Sequence, residues 1–302
     1  MKKIIVIAGA TGNLGERIVR SVLLHGGAVN ALVRTTTPIE KIEELQAVGA
    51  NVVVIKNWDI PSISSACAGA DCVVSALAGL KEVIIDAQTV LLDAAVVAGV
   101  PRFIPSDFSL DFTKFTQGEN RNLDIRREFH TYLNNAPIKA TSIFNGAFMD
   151  MLTGQMPVIL FKQKMVLYWG DKNHLWQFTS MDDTAAYTAV AALDENTPRY
   201  LIISGEQISP VRLRTVVNKV TDTDFKLIRT GSQKFLGFLI KVARVMAPGK
   251  NELYPAWQGM QYMHNMIDKR STIEKLDNDR YTNLTWTSTE ALLSEYEQKR
   301  RH

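Results

Sequence analysis

The chain has 302 residues, 46% of them hydrophobic and 22% charged, and its 34 Lys and Arg against 31 Asp and Glu leave a net charge of +3. That length supports a large buried core, arranged as one α/β domain or two unequal ones. The nearly balanced, scattered charge excludes a broad nucleic-acid footprint, and no apolar run approaches the ~20 residues of a membrane helix.

The first element, "KIIVIA", is a β-branched strand that stops at Gly9. Its lysines imitate a secretory leader, but the apolar run is too short for one. From Lys2 to about Phe148, the strands "KIIVIA", "AVNALVR", "NVVVI", "DCVVSAL", "RFIPS" and "KATSIFN" alternate with helices starting near Asn13, Ile39, Ile63, Lys81 and Glu119. Such alternation predicts βαβ units and a parallel sheet, and the nearly continuous apolarity of the strands predicts burial on both faces. Gly26, Gly49, Gly69 and Gly99 follow helices, where a left-handed residue ends them. Cys67 and Cys72 lack metal-ligand spacing and read as reduced, buried thiols of a cytoplasmic protein.

After Phe148 the rhythm changes. "PVILFKQKMVLYWGD" and "HLWQFTSM" predict strands, "DDTAAYTAVAALDE" a helix, "RYLIIS" and "FKLIRT" strands separated by a helix, and "SQKFLGFLIKVARVM" a helix. The stretch from Asn251 is rich in Tyr, Trp and Met. The chain ends on a helical "STEALLSEYE" and a basic "QKRRH", read as a solvated tail favoured by the helix dipole over a binding patch. The fold expected is α/β, a Rossmann-type doubly wound parallel sheet over residues 1–150, with a smaller α+β lobe over residues 151–302 interwoven with it and covering the substrate.

The turn after the first strand carries Gly9, Ala10, Thr11, Gly12, Asn13, Leu14 and Gly15 in a Gly-x-x-Gly-x-x-Gly pattern. With a strand before and a helix after, its N–H groups would face a pyrophosphate; a tight turn without ligand is the alternative. At the end of the second strand, where an acidic residue would select NAD, stands "LVRTTT". Arg34 suits a 2′-phosphate and Thr35 adds a hydroxyl, so NADP(H) is the implied cofactor unless Arg34 is merely a solvated surface residue.

Together "AGATGNLGERIV", "LVR", "GVPRFIPSDFS", "SIFNGAFMD" and "FTSMDDTAAYTAVAAL" resemble the NmrA-like, isoflavone-reductase-like branch of the atypical short-chain dehydrogenases/reductases, over residues 2 to about 205. The resemblance implies a Rossmann domain, a phosphorylated nicotinamide cofactor and a small lobe over its nicotinamide end. Gly9 to Gly15 would hold the pyrophosphate, Arg34 with Lys41 the 2′-phosphate, and Ala76 and Leu77 the adenine and ribose side. Ser106, Asp107 and Phe108, with Phe144 and Asn145, would sit by the nicotinamide. Sequence alone leaves "PSDF" the alternative of a helix-start turn capped by Ser106 or Asp107.

Reductases of this family carry a lysine on the helix after "PS[DE]F", and Asn122 stands in its place here. An amide neither gives nor takes a proton at neutral pH. The pair Tyr168 and Lys172 has the Tyr-x-x-x-Lys spacing but spans a Gly-Asp turn, so the two cannot share a helical face. Arg126 could polarise an acceptor oxygen or be a surface residue paired with Asp124 or Glu128. His130 reads as structural or exposed, and five dispersed histidines imply no catalytic metal. Phe148, Tyr254, Trp257, Met260, Tyr262 and Met263 could wall a small apolar or aromatic substrate, or be core.

Two functions follow. One is an NADPH-dependent reductase of a small carbonyl, quinone or enone, with Arg126, Asn145 or water handling the charge. The other is a non-catalytic NADP(H) sensor that acts on a regulatory protein partner.

Overall fold

The computed structural model describes residues 2–301; Met1 and His302, the last residue of the expected basic tail, lie outside the described residues. The first half runs β1 (Ile4–Ala8), α1 (Asn13–Leu24), β2 (Ala28–Arg34), α2 (Ile39–Ala47), β3 (Asn51–Ile55), α3 (Ile60–Cys67), β4 (Cys72–Ser75), α4 (Gln88–Val97), β5 (Arg102–Ile104), α5 (Arg121–Leu133) and β6 (Lys139–Ala140). These strands form one parallel sheet in the order β3-β2-β1-β4-β5-β6. The third helix starts earlier than its apolar pattern suggests, because Asp59 accepts from Ser62 N–H and Pro61 opens the first turn. A π-helical turn over Glu82–Ala87 leads into α4.

The second half continues with β7 (Ser142–Phe144), β8 (Ala147–Phe148), β9 (Ile159–Leu160), β10 (Met165–Trp169), β11 (Trp176–Thr179), α6 (Met181–Leu193), β12 (Tyr200–Ile202), β13 (Glu206–Ile208), α7 (Pro210–Thr221), β14 (Lys226–Gly231), α8 (Gln233–Met246), α9 (Ala256–Met266) and α10 (Thr289–Arg301). The expected single strand "KATSIFN" is divided at Thr141: β6 pairs with β5, while β7 pairs with β12. Helix α9 arises in the Tyr- and Met-rich stretch for which no element was expected. Along α10, Lys299 and Arg300 of the basic tail pair with Glu295 and Glu297.

Alternation along β1 sends Ile5 and Ile7 to one face and Val6 and Ala8 to the other. The first face packs under α1, α2 and α6, the second under α3, α4 and α5. A third core, around Trp176, Phe178, Leu213 and Leu236, holds the lobe. Thus α6 and β12, drawn from the second half, return to the core of the first, β12 pairing with β7 in a two-stranded sheet of its own. Cys67 and Cys72 are free and buried, and burial pushes both thiols up to about 12.

Arg102 ties these parts together. Although on a central strand it is almost fully buried, and its guanidinium donates to Ala191 O and Ala192 O at 2.9 and 3.0 Å and to Thr197 Oγ1 at 2.6 Å. The last turn of α6 has no cation of its own, so this arginine answers both its open carbonyls and its dipole. Replacing Arg102 by Met removes three hydrogen bonds, leaves Ala192 O without a side-chain donor, and should cost about 2–4 kcal/mol. The expected result is a thermal midpoint lower by on the order of 5–10 °C, measured by circular dichroism, with an unchanged spectrum at room temperature.

Candidate functional site

The strand order reverses between β1 and β4, and open α/β sheets bind ligands at the carboxyl ends of strands at such a point. Here the backbones come very close. Gly9 takes φ +79°, a Cβ on it would lie 2.6 Å from Ala76 O, and a Cβ on Gly15 would lie 2.0 Å from Gly9 O. Both glycines are therefore demanded by packing alone. Gly12 is different: its φ is −79°, and a Cβ on it would meet only Gly9 O, at 3.3 Å. As N-cap of α1 it supplies no side-chain acceptor, where Ser, Thr or Asp would normally do so. The N-terminus of α1 is left bare toward the crevice, which suits an anion. Ala10 is buried, Thr11 and Leu14 are partly exposed, and Asn13 turns its amide oxygen to Arg17 Nε at 3.2 Å.

At the end of β2, Arg34 is exposed, its guanidinium carbon 5.9 Å from the centre of the Trp58 ring. Thr35 is exposed, and it is Thr37 that closes the turn, accepting from Arg34 N–H at 3.1 Å. Lys41 is already partnered, 2.6 Å from Glu44 Oε2 and 3.8 Å from Glu16 Oε2. Arg34, which has no ion pair among the described residues, is thus the cation better placed for a phosphate.

Ser106 is a joint rather than a free hydroxyl. Its N–H donates to Gln88 Oε1 at 3.0 Å, its Oγ to Leu77 O at 2.6 Å, and its carbonyl accepts from Arg126 Nε at 2.9 Å. The loop beside Ala76 and Leu77 is thereby bound to α4 and α5. The Asp107 carboxylate is fully buried, and its Oδ1 has no partner among the described residues. Oδ2 accepts from Ser142 Oγ at 2.6 Å and lies 2.6 Å from His130 Nε2, and Arg199 donates to the same Ser142 hydroxyl. Ser106 and Asp107 do not cap a helix; Asn120 caps α5. Phe108 packs in the same apolar cluster as Ala10.

Phe144 is buried edge-on to Phe112, with ring centres 5.2 Å apart. Asn145 follows it and is fully buried. Its N–H donates to Ser109 O and its carbonyl accepts from Thr179 Oγ1. Its side-chain Oδ1 and Nδ2, however, are both buried without a partner among the described residues. A buried amide with neither bond made carries an uncompensated cost of about 1–3 kcal/mol per group. Such an amide suits a ligand that offers one acceptor and one donor.

On α5, Asn122 is held by the lobe: Nδ2 donates to Leu253 O and Oδ1 accepts from Arg121 Nε, each at 3.0 Å. Arg126 spends Nε on Ser106 O and Nη1 on Asn122 O, so it positions the loop, while Arg127 is the arginine that pairs with Asp124. His130 is buried with Asp107. The expected substrate wall is dispersed. Phe148 packs against the α1 and α6 core, Met260 against the lobe core, and Tyr254 is exposed. Trp257 is buried with Arg121 and Arg244 over its ring, at 4.7 and 5.2 Å. Tyr168 lies in β10 and Lys172 beyond the turn at Gly170, on no common helix.

Gln88 is a residue that sequence reasoning did not assign to the site, and Tyr262, expected only as substrate wall or core, gains a definite place. Gln88 is fully buried and supports Ser106; its only sequence signal is a polar residue opening the apolar run "QTVLLDAAVV". Tyr262 on α9 faces Asn122 and Arg126. Burial raises its phenol above the ordinary tyrosine value, against the lowering pull of Arg126, Asn122 and Arg121 and with a further push from Tyr254. Among the described residues no cluster of three or more His, Cys, Asp or Glu could hold a metal, and no helix is long and apolar enough to cross a membrane.

Burial pushes the Asp107 carboxyl up, yet His130, Ser142 and Arg126 outweigh it and hold the group below its ordinary value. A carboxyl lowered by folding stabilises the native state above its unfolded value of about 3.9, and that stabilisation is lost as pH falls through the folded value. Urea midpoints should therefore fall more steeply below about pH 4 in the parent than in Asp107→Asn, the two curves converging in acid.

A family model described as "NmrA-like family" matches residues 1–285. Pinoresinol reductase 1 of Arabidopsis thaliana is 29% identical over 250 residues, covering 77% of this chain and 78% of its own. A bifunctional pinoresinol-lariciresinol reductase of Forsythia intermedia is 28% identical and covers 98% of this chain and 99% of its own. Among solved structures, AtPrR2 with NADP+ and (+)pinoresinol superposes with a TM-score of 0.82 at 24% identity, covering 98% and 99% of the two chains. The leucoanthocyanidin reductase–NADPH complex of Vitis vinifera gives 0.80 at 18% identity, covering 97% and 99%.

Proposed function

The chain belongs to the NmrA-like family, and from that premise we propose that it binds NADP(H) and reduces a small aromatic or apolar carbonyl, quinone or enone. The observation that carries the reading is the buried, unpartnered amide of Asn145. Asn145 follows the end of β7, as Ser106 follows the end of β5 and the bare N-terminus of α1 the end of β1. A carboxamide such as that of nicotinamide offers the donor and acceptor that Asn145 lacks, and the Gly9–Gly15 turn and Arg34 offer sites for pyrophosphate and 2′-phosphate. When bound, the cofactor supplies the hydride. Ser106, tied to Gln88 and Arg126, keeps the loop beneath it rigid, and Phe144 and Phe108 keep water from that end. Relatives named as pinoresinol reductases support an aromatic acceptor. A cytoplasmic setting belongs to the same reading, supported by the free buried thiols.

Saturable NADPH binding followed by NADPH consumption against a panel of quinones, aldehydes and enones tests it. Binding without turnover on any acceptor would favour the sensor with a protein partner instead. Arg34→Ala should weaken NADPH by about tenfold or more, the worth of a charge-assisted contact, and leave NADH within twofold. Tighter binding of NADH than NADPH by the parent protein would overturn the assignment.

A further inference from the structure

With Asn122 where the family's lysine would stand, that position on α5 supplies no acid for a reduced acceptor. The neighbouring helix of the lobe offers one. Helix α9 is docked on the N-terminus of α5 by buried amides: Gln258 Nε2 donates to Asn120 Oδ1 at 2.8 Å, Asn120 Nδ2 to Asn265 Oδ1 at 3.0 Å, and Arg121 N–H to Gln261 Oε1 at 3.1 Å. Gln258, Gln261 and Asn265 are all buried. Between them on this docked helix is Tyr262, whose ring packs against the cluster of Phe112, Leu123 and Phe144. Its phenol faces Asn122 and Arg126, and Arg126 holds the carbonyl of Ser106 at the end of β5. Phe144 is followed directly by Asn145 with its open amide.

We propose that Tyr262 is the catalytic proton donor of the reductase, replacing the missing lysine from the helix docked against α5. This rests on the reductase reading. As hydride arrives from the reduced dinucleotide at the acceptor carbon, the electron pair of the C=O bond moves onto oxygen, and that oxygen takes the Tyr262 proton. The phenolate left behind is held by the Asn122 amide and the Arg126 guanidinium, then takes a proton from water, so each turnover consumes one hydride and one proton. A phenol raised by burial remains protonated at neutral pH and serves as an acid rather than a base. The groups facing it are Asn122, Arg121 and Arg126 of α5 and Tyr254 of the preceding loop.

The test compares the parent with Tyr262→Phe, which keeps the ring and its packing. Expected are a kcat lower by at least about 100-fold, an NADPH dissociation constant within twofold, and loss of the solvent deuterium isotope effect seen in the parent. Alkaline difference spectra of the protein without cofactor, parent minus Tyr262→Phe, should show one phenol ionising above about pH 10, and higher still in an Arg126→Met background. A kcat within threefold of the parent, or a phenol indifferent to Arg126, overturns the proposal while leaving the reductase intact. NADPH binding by the parent with no turnover on any acceptor overturns both readings. Should Tyr262→Phe not fold, an Arg126-dependent phenol titration and a solvent isotope effect on parent kcat must still appear, and absence of either refutes the assignment.

Discussion

Two backbone contacts, Gly15 against Gly9 and Gly9 against Ala76, decide where everything else in this molecule can go. They draw the start of α1 onto the ends of β1 and β4, and no side chain can stand between them. The crevice at the strand reversal is therefore narrow and walled by backbone, with the open N–H groups of α1 at one end. Gly12 is the glycine there that packing does not demand, and as N-cap it leaves the first N–H groups of α1 without a side-chain acceptor. A ligand that brings negative charge restores what the missing cap gives up.

From Ala76 the constraint passes along the sheet edge through Ser106. Every polar group of that residue is engaged, to Leu77, Gln88 and Arg126, so the turn after β5 cannot shift without breaking contacts to three elements. Behind it, Asp107, His130, Ser142 and Arg199 fill the interior with a polar cluster bridging β5, α5, β7 and β12. Its members resemble a nucleophile, base and acid in type. Their burial against Phe112 and Tyr200, and the bonds they make to one another, make them a brace that fixes α5.

The sheet was legible because its signals are local. Strands β2 and β3 coincide with their apolar runs, and α1 and α2 begin where expected, since period, caps and stops lie within a few residues of each other. The glycine turn was legible for the same reason. What could not be read was direction and long-range partnership. Asp107 is correctly placed at a strand end, yet the partners of its carboxylate, Ser142 and His130, are remote in sequence. Trp257 could be substrate wall or core by its sequence, and the structure buries it beside two arginines, one from α5 and one from α8. Lys41 matched the family's cation but not its surroundings, because Glu44 and Glu16 hold it.

The same distinction explains why α9 is docked by amides. A lysine on α5 would need only its own helix to be correctly aimed, whereas Tyr262 belongs to a helix whose Gln261 is 140 residues from its partner Arg121. Closing so long a loop fixes little about register by itself. Apolar packing alone tolerates sliding and rotation, while buried Gln258, Gln261 and Asn265 must each meet a particular partner or remain unpaired in the interior. The amides thus do for a remote helix what local geometry does for a resident one. They also make placement of the phenol conditional on the docking of α9 against α5. A site organised in this way leaves no spacing motif, because its acid and the groups that hold the acid's charge come from different parts of the chain.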